Sequence, residues 1–103
     1  MKQYILREST KQNKKFDLIN EDGKVISFGQ KNASDYTIHH DQARKDRYIN
    51  RHYKLESKFW GHDTSLTPSY LSRYLLWEKP NLDKAIEFVE EHKHIKITKK
   101  LYR

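Results

Sequence analysis

Apolar and polar residues alternate in the first third of the chain, and this period of two predicts β-strands. Phe16 and Leu18 fall on one side of a strand, and Ile26 and Phe28 do the same in the next. The polar turn between them contains Gly23, which can adopt the positive φ that a hairpin loop needs. The predicted strands cover residues 2–8, 15–19 and 24–28.

From residue 41 onward, apolar residues recur with the period of an α-helix. Asp41 can cap the first turn of one helix, and Pro68 suits the first position of another. This second helix is apolar around most of its circumference, which is typical of a helix at the centre of a fold or at an interface. The predicted helices cover residues 41–55, 68–79 and 81–92, a final strand covers 94–103, and 29–36 and 58–66 are predicted to be irregular connections.

Together these elements predict an α+β fold, in which a small antiparallel sheet packs with three helices. The N-terminal hairpin strands and the C-terminal strand would form the sheet. A chain of 103 residues predicts a single domain with one modest core. Apolar residues make up only 35%, but seven Tyr, four Phe and two Trp can each bury a large area. We expect Trp77 to be buried and structural.

The formal charge of +7 indicates that this small domain has an anionic partner. Nucleic acid is the first candidate and an anionic membrane surface the second, although a protein can also be basic without such a partner. No cysteine is present, which fits a reducing compartment. No apolar run approaches the roughly 18 residues of a transmembrane helix, and no secretion signal is visible, so an intracellular location is expected.

The densest cations fall on the first predicted helix. Arg44, Arg47, Arg51 and Lys54 are spaced by three, four and three residues, which places them within an arc of about 80°. Such a face can neutralise successive DNA phosphates. The alternative is a solvated helix face whose arginines stack on nearby tyrosines. The candidate DNA-binding residues are Lys31, Arg44, Lys45, Arg47, Arg51, Lys54, Lys58 and Arg73.

Two further groups of cations have two interpretations each. Arg73 lies in the apolar helix, so it either pairs with a carboxylate such as Asp35 or Asp41, or contacts a phosphate. The C-terminal segment could be a second DNA contact, or an edge strand that lysines protect from aggregation. Its cations are Lys93, Lys96, Lys99, Lys100 and Arg103.

Candidate chemistry is sparse. Six histidines are present, but their spacing matches no metal-binding motif, and there is no cysteine to complete one. His40, His52, Asp35 and Asp41 could form an acid–base pair, yet their spacing does not require it, and no Gly-rich phosphate loop accompanies them. The sequence therefore predicts no catalytic residue, no metal and no cofactor. A nuclease is the least favoured functional hypothesis.

Several short segments, spread over about half of the chain, carry a family resemblance: Phe28-Gly29, Ser34-Asp35-Tyr36-Thr37, His40-Asp41, Arg44-Lys45, Arg47-Tyr48-Ile49, Arg51-His52 and Leu71-Ser72-Arg73-Tyr74-Leu75-Leu76-Trp77. They resemble a family of small uncharacterised basic proteins. Its members are encoded by giant nucleocytoplasmic DNA viruses, the marseilleviruses among them, and by some algae. The resemblance implies a protein that binds double-stranded DNA without sequence preference, with a place in the virion and in the viral factory of the host cytoplasm.

The aromatic residues bear on assembly. More of them are present than a core of this size easily buries, and aromatic side chains are enriched at subunit contacts. A two-fold homodimer would double the basic surface. The competing function is a protein–protein adaptor, in which the aromatic helix and the acidic residues of the third helix dock a partner. The aromatics in question are Phe59, Trp60, Tyr70, Tyr74 and Trp77.

Overall fold

The computed structural model describes residues 1–101 and has the predicted α+β fold. The strands are β1 (Lys2–Glu8), β2 (Lys14–Ile19), β3 (Val25–Gln30) and β4 (Ile95–Lys100). The helices are α1 (Tyr36–His39), α2 (Gln42–Glu56), α3 (Pro68–Leu71) and α4 (Leu82–Lys93). A 3-10 turn follows α2 at Ser57–Phe59, and a π-helical segment continues α3 at Ser72–Leu76.

The four strands form one mixed sheet in the order β3-β2-β1-β4. The N-terminal strands pair antiparallel in a meander, as the alternation predicts. The C-terminal strand joins the same sheet but runs parallel to β1, where an antiparallel strand was expected. The reason lies in the connection: α4 returns the chain to the end of the sheet where β1 begins, so that Ile95 lies opposite Lys2.

One face of the sheet carries the hydrophobic core. Leu6, Phe16, Leu18 and Phe28 are at most 1% exposed, and their alternation confirms the predicted inward face of the hairpin. Burial of these large side chains is the main favourable term in folding. Against them pack residues of the second and third helices and of β4, namely Tyr70, Leu71, Leu75, Leu76, Ala85, Ile86, Val89, Ile95 and Ile97.

Two glycines have the positive φ that side chains rarely adopt. Gly23 has a φ of 82° in the β2–β3 turn, as predicted for a hairpin loop. Gly29 has a φ of 76°, and a Cβ there would lie 3.0 Å from Leu76 and from Lys15. The backbone of β3 therefore lies close against the π-helical segment, and this contact fixes one side of the cleft described below.

The aromatic helix is shorter and more irregular than predicted. Thr67 caps α3 by accepting a hydrogen bond from the Tyr70 N–H at 3.1 Å, which confirms the start at Pro68. After Leu71 the backbone continues with π-helical bonding and ends before Trp77, not at residue 79. The predicted central position is confirmed, since Leu71 and Leu75 are fully buried.

The connection over residues 29–36 is less irregular than predicted. Strand β3 extends to Gln30, and α1 begins at Tyr36. Asp35 caps this short helix by accepting a hydrogen bond from the Thr37 N–H at 2.9 Å. The same carboxylate forms a salt bridge of 2.5 Å with Lys15, which ties α1 to β2.

The last helix and strand follow the predicted pattern. Asn81 caps α4 by accepting from the Lys84 N–H at 3.1 Å. His94 then takes a left-handed conformation with a φ of 54°, which ends the helix before β4. Because β4 pairs with β1 on one side only, it is an edge strand. The end of the predicted strand, including Arg103, lies outside the described residues.

The opposite face of the sheet holds a buried carboxylate. Asp17 is 1% exposed and accepts hydrogen bonds from Ser27 Oγ at 2.6 Å and from Arg7 Nη2 at 3.2 Å. Burial by itself would raise the pKa of Asp17. The hydrogen bonds from Ser27, Ser9, Arg7 and the Thr10 backbone outweigh that effect and hold the pKa below its ordinary value of 3.8.

Replacing Asp17 by Asn is expected to lower the free energy of unfolding at pH 7 by about 1–3 kcal/mol, because a charge-assisted hydrogen-bond set is lost. A lowered folded-state pKa stabilises the protein above the ordinary value of 3.8, and this contribution is lost as the pH falls through the folded-state pKa. The difference between wild type and Asp17→Asn should therefore shrink in acid. Urea unfolding at pH 7 and pH 3 measures it, and an equal difference at both pH values would assign the loss to packing.

Candidate nucleic-acid interface

Helix α2 presents the predicted cationic face to solvent. Asp41 caps it by accepting hydrogen bonds from the Ala43 and Arg44 N–H groups at 3.0 and 3.3 Å, which confirms the predicted N-cap. Four side chains on one side are exposed, and none of them forms a salt bridge with a residue in the range 1–101. We name the set Arg44, Arg47, Arg51 and Lys54 the α2 basic face.

The length of this face suits an extended polyanion. From Arg44 to Lys54 the helix rises about 15 Å, at 1.5 Å per residue. Double-stranded DNA carries one charge per roughly 1.7 Å of its axis, so this span matches on the order of nine phosphates. Four rigidly spaced cations can therefore contact several phosphates at once.

The inner side of α2 fixes the direction of the basic face. Tyr48 is buried and stacks on Trp77, with ring centroids 4.4 Å apart and an interplanar angle of 4°. On the same side, Lys45 Nζ donates to the Glu78 carbonyl oxygen at 2.8 Å. These contacts hold the flank beside the four cations, and Arg44 and Arg51 line the cleft described below together with Tyr48. Trp77 is partly buried, so the expectation of full burial is only partly met.

A chain of hydrogen bonds attaches the C-terminal turn of α2. Trp60 Nε1 donates to Ser69 Oγ at 3.1 Å, and Ser69 Oγ donates to Glu56 Oε1 at 2.6 Å. The other oxygen of Glu56 contacts His52 Nδ1. Burial would raise the pKa of Glu56, but the hydrogen bonds from Ser69 and His52 outweigh it and lower the pKa. The carboxylate thus stays charged and orients the His52 ring.

Leu55 of α2 is a large apolar residue, yet it is 76% exposed. It occupies the same side of α2 as Arg51, beyond the reach of the Tyr48–Trp77 stack. Tyr53 is also exposed, at 60%, although its ring meets Trp60 edge-on at 6.2 Å. The outer surface of α2 therefore combines cations with a few apolar side chains.

Lys14, at the start of β2, extends the basic surface. Lys14 lines a cleft together with Arg44 and Arg51, and a second cavity of about 400 Å³ together with Lys31. The predicted residue Lys31, in the turn after β3, thus lies near Lys14 but does not line the cleft with α2. Lys14 was missed by sequence reasoning, because a single lysine at the start of a strand gives no signal of its neighbours.

Lys58 extends α2 only weakly. It lies in the 3-10 turn after the helix, is exposed, and has its ammonium 5.2 Å from the centre of the Phe59 ring. The cation is therefore accessible at the C-terminal end of the α2 basic face, but its position depends on a single turn.

Arg73 and Lys45 do not belong to the accessible surface, contrary to their prediction as DNA-binding residues. Arg73 Nη1 donates to Glu78 Oε1 at 2.7 Å, and its guanidinium lies 4.8 Å from the Tyr74 ring centre. The structure thus agrees with pairing to a carboxylate, but the partner is Glu78 and not Asp35 or Asp41. Lys45 is 15% exposed and bound to Glu78, so both cations hold the fold together.

The C-terminal lysines are mostly committed to protein contacts. Lys93 donates to the carbonyl oxygens of Gly61 and His62, each at 3.0 Å, and to that of Thr64. Burial lowers the pKa of Lys93. Lys99 contacts Asp83 at 2.6 Å. Lys93 belongs to α4, and Lys99 belongs to the edge strand β4. The contact of Lys99 on this edge favours the protective role over a second DNA site, and Arg103 is outside the described residues.

The aromatic residues that suggested a dimer and an adaptor are largely inside one chain. Tyr70 is fully buried, Trp60 is 7% exposed, and Tyr74 and Trp77 are partly buried. Only Phe59 is exposed, at 37%. The aromatic helix therefore offers little surface to a partner. The homodimer was inferred from a surplus of aromatic residues, and most of these residues are buried or partly buried within one chain.

The described residues offer little for a metal site or a membrane-spanning helix. Among residues 1–101, no three His, Asp or Glu side chains are placed to share a metal ion. Within the same range, no helix has both the length and the apolar character needed to cross a bilayer.

Comparison with known proteins gives one match. The model of a family of unknown function, DUF5754, matches residues 4–52. This region extends from β1 into α2 and contains three of the four cations of the α2 basic face. No curated protein and no solved structure matches the chain. Just under half of the chain is therefore similar to a family whose description states no activity.

Proposed function

We propose that the protein binds double-stranded DNA through its phosphates, without sequence preference, and that the α2 basic face makes the principal contacts. The observation that carries the proposal is the state of the four cations. They are exposed, share one side of a capped helix, and have no carboxylate partner among the described residues. When these unpaired cations bind phosphates, no salt bridge among the described residues has to be broken. Their binding also releases counterions from the DNA, which favours the complex.

Charge distribution supports the same function. The chain carries a formal charge of +7, and Lys14 lines a cleft together with Arg44 and Arg51 of α2. Contacts to phosphates position a protein on DNA but carry no sequence information. The proposal is therefore limited to contacts with the DNA backbone.

The proposal describes a binding protein, not an enzyme, and includes no cofactor. The adaptor alternative is less well supported, because its aromatic helix is buried in the core. A homodimer, and a place in the virion or in a viral factory, stay expectations from the aromatic content and from the family resemblance.

Replacing Arg44, Arg47, Arg51 and Lys54 by Gln tests the proposal. Gln is nearly as good a helix former, so the circular dichroism melt should match wild type. Each phosphate contact contributes about 0.9 to the salt slope, so four contribute about 3.6. Between 50 and 200 mM salt, wild type should lose about 10²-fold more affinity than the variant. Gel shifts with unrelated duplexes should show equal losses for every sequence.

The matched control removes four charges from α4 and from the β4 edge of the sheet, which is the edge opposite β3. Lys84, Lys96, Lys99 and Lys100 lie on α4 and on the β4 edge, away from α2. Their replacement by Gln should leave the salt slope nearly unchanged. An unaltered slope in the α2 variant would refute the proposal, and a reduced slope in the control alone would move the site to β4. Magnesium-dependent cleavage of the duplex would instead favour the nuclease reading.

A further inference from the structure

A cleft of about 700 Å³ separates α2 from the β2–β3 part of the sheet. Arg44, Arg51 and His52 line it from α2, and Lys14 and Lys15 line it from β2. The volume is in the range of small-molecule sites and exceeds what a single inorganic anion requires. The cleft is therefore large enough for an organic ligand.

Both acids of the cleft have hydrogen-bond partners within the protein. Asp35 forms a 2.5 Å salt bridge with Lys15 and also accepts from the Thr37 N–H. Glu56 accepts from Ser69 at 2.6 Å and contacts His52. The lining has four cations and two carboxylates, so with a neutral His52 its net charge is +2.

Three cations of the cleft have no such partner. Among residues 1–101, Lys14, Arg44 and Arg51 form no salt bridge. His52 is held through Nδ1, which leaves Nε2 without a hydrogen-bond partner in the same range. Guanidinium groups bind phosphate oxygens in a bidentate manner, so this set of donors suits a phosphate. A second group of lining residues is apolar, namely Tyr48, Pro68, Leu76 and Trp77.

We propose that this cleft binds a nucleoside monophosphate group, with Lys14, Arg44 and Arg51 on the phosphate and the apolar lining against the sugar and base. The ligand is the phosphorylated terminal nucleotide of a DNA strand. This last step rests on the proposed function, since Arg44 and Arg51 belong both to the α2 basic face and to the cleft. A strand that follows the face therefore reaches the cleft.

The experiment uses the full chain and two kinds of probe. Calorimetry compares deoxyadenosine monophosphate with deoxyadenosine, and gel shifts compare a duplex bearing 5′-phosphates with the same duplex bearing 3′-phosphates or hydroxyl ends. Lys14→Gln removes a cleft cation that is exposed and outside α2, so the fold should persist. This variant should bind the monophosphate with about tenfold lower affinity, as expected for the loss of one charge-assisted hydrogen bond. Arg47→Gln removes a cation of the α2 basic face that does not line the cleft.

The monophosphate is expected to bind at least tenfold more tightly than the nucleoside. Lys14→Gln should reduce this difference, and Arg47→Gln should not. A phosphorylated duplex should bind more tightly than a duplex with hydroxyl ends. Equal binding of nucleotide and nucleoside would overturn the cleft proposal, even if duplex binding persists. Nucleotide binding without duplex binding would overturn the proposed function and leave the cleft as a site for free nucleotides. Equal affinity for phosphorylated and hydroxyl ends would overturn the strand-end ligand.

Discussion

Replacing Tyr70 by Ala is expected to lower the free energy of unfolding by about 3–5 kcal/mol. Tyr70 is 0% exposed and has the largest side chain among the fully buried residues. Its ring stacks on His92 and lies 4.8 Å from the ring of Tyr74, and the ammonium of Lys93 is 4.5 Å from its centre. Small domains are stable by only about 5–15 kcal/mol, so this variant should lose a large part of its stability.

The control variant Tyr70→Phe separates the ring from its hydroxyl group. The hydroxyl oxygen lies 2.5 Å from His92 Nδ1, and burial raises the pKa of Tyr70, so the phenol stays protonated. The Phe variant keeps the packing and should lose only about 1–2 kcal/mol. Urea unfolding followed by circular dichroism measures both variants. A Tyr70→Ala protein within 1 kcal/mol of wild type would contradict the central position of this side chain.

Local patterns were sufficient to predict most of the elements. The alternation of Phe16 with Leu18 gives the inward face of β2 without reference to any other strand. Helix starts were equally local, because the caps Asp41 and Thr67 bond to backbone groups two or three residues away. Such features depend on neighbours in sequence, and a single sequence contains them.

Features that depend on distant residues could not be predicted. The parallel pairing of β4 with β1 joins residues more than 90 positions apart, and no local pattern encodes its direction. The π-helical segment after Leu71 buries two consecutive residues, Leu75 and Leu76, which a regular apolar period does not indicate. Tertiary packing decides such cases over local propensity.

The candidate site shows the same division. The spacing of four cations predicted one face of α2, and the structure confirms that they lie together on its exposed side. The sequence did not reveal that Glu78 binds both Arg73 and Lys45, because this contact needs the chain to turn after Trp77. Nor did it indicate Lys14, which meets Arg44 and Arg51 only across a cleft.

The stack of Trp77 on Tyr48 is expected to decide whether α2 stays in place. Helix α2 lies at the margin of the core, and of its side chains only Tyr48 is buried. Trp77 stacks on Tyr48 at 4.4 Å, and its ring lies 5.3 Å from that of His39. Trp77→Ala removes most of this apolar contact and should lower the free energy of unfolding by about 3 kcal/mol. The loss should be concentrated in α2, since the sheet keeps its own core.

Hydrogen exchange distinguishes this local effect from general destabilisation. In Trp77→Ala, amides of α2 should exchange faster by a larger factor than amides of β1 and β2, because elements with few buried contacts open separately from the core. DNA affinity should fall although the net charge is unchanged, since the α2 basic face loses its fixed position. Trp77→Phe keeps an aromatic ring against Tyr48 and should retain most of the protection and the affinity. If α2 keeps wild-type protection in the Ala variant, the contacts of Lys45 and Glu56 hold the helix, and the aromatic stack is not its main attachment.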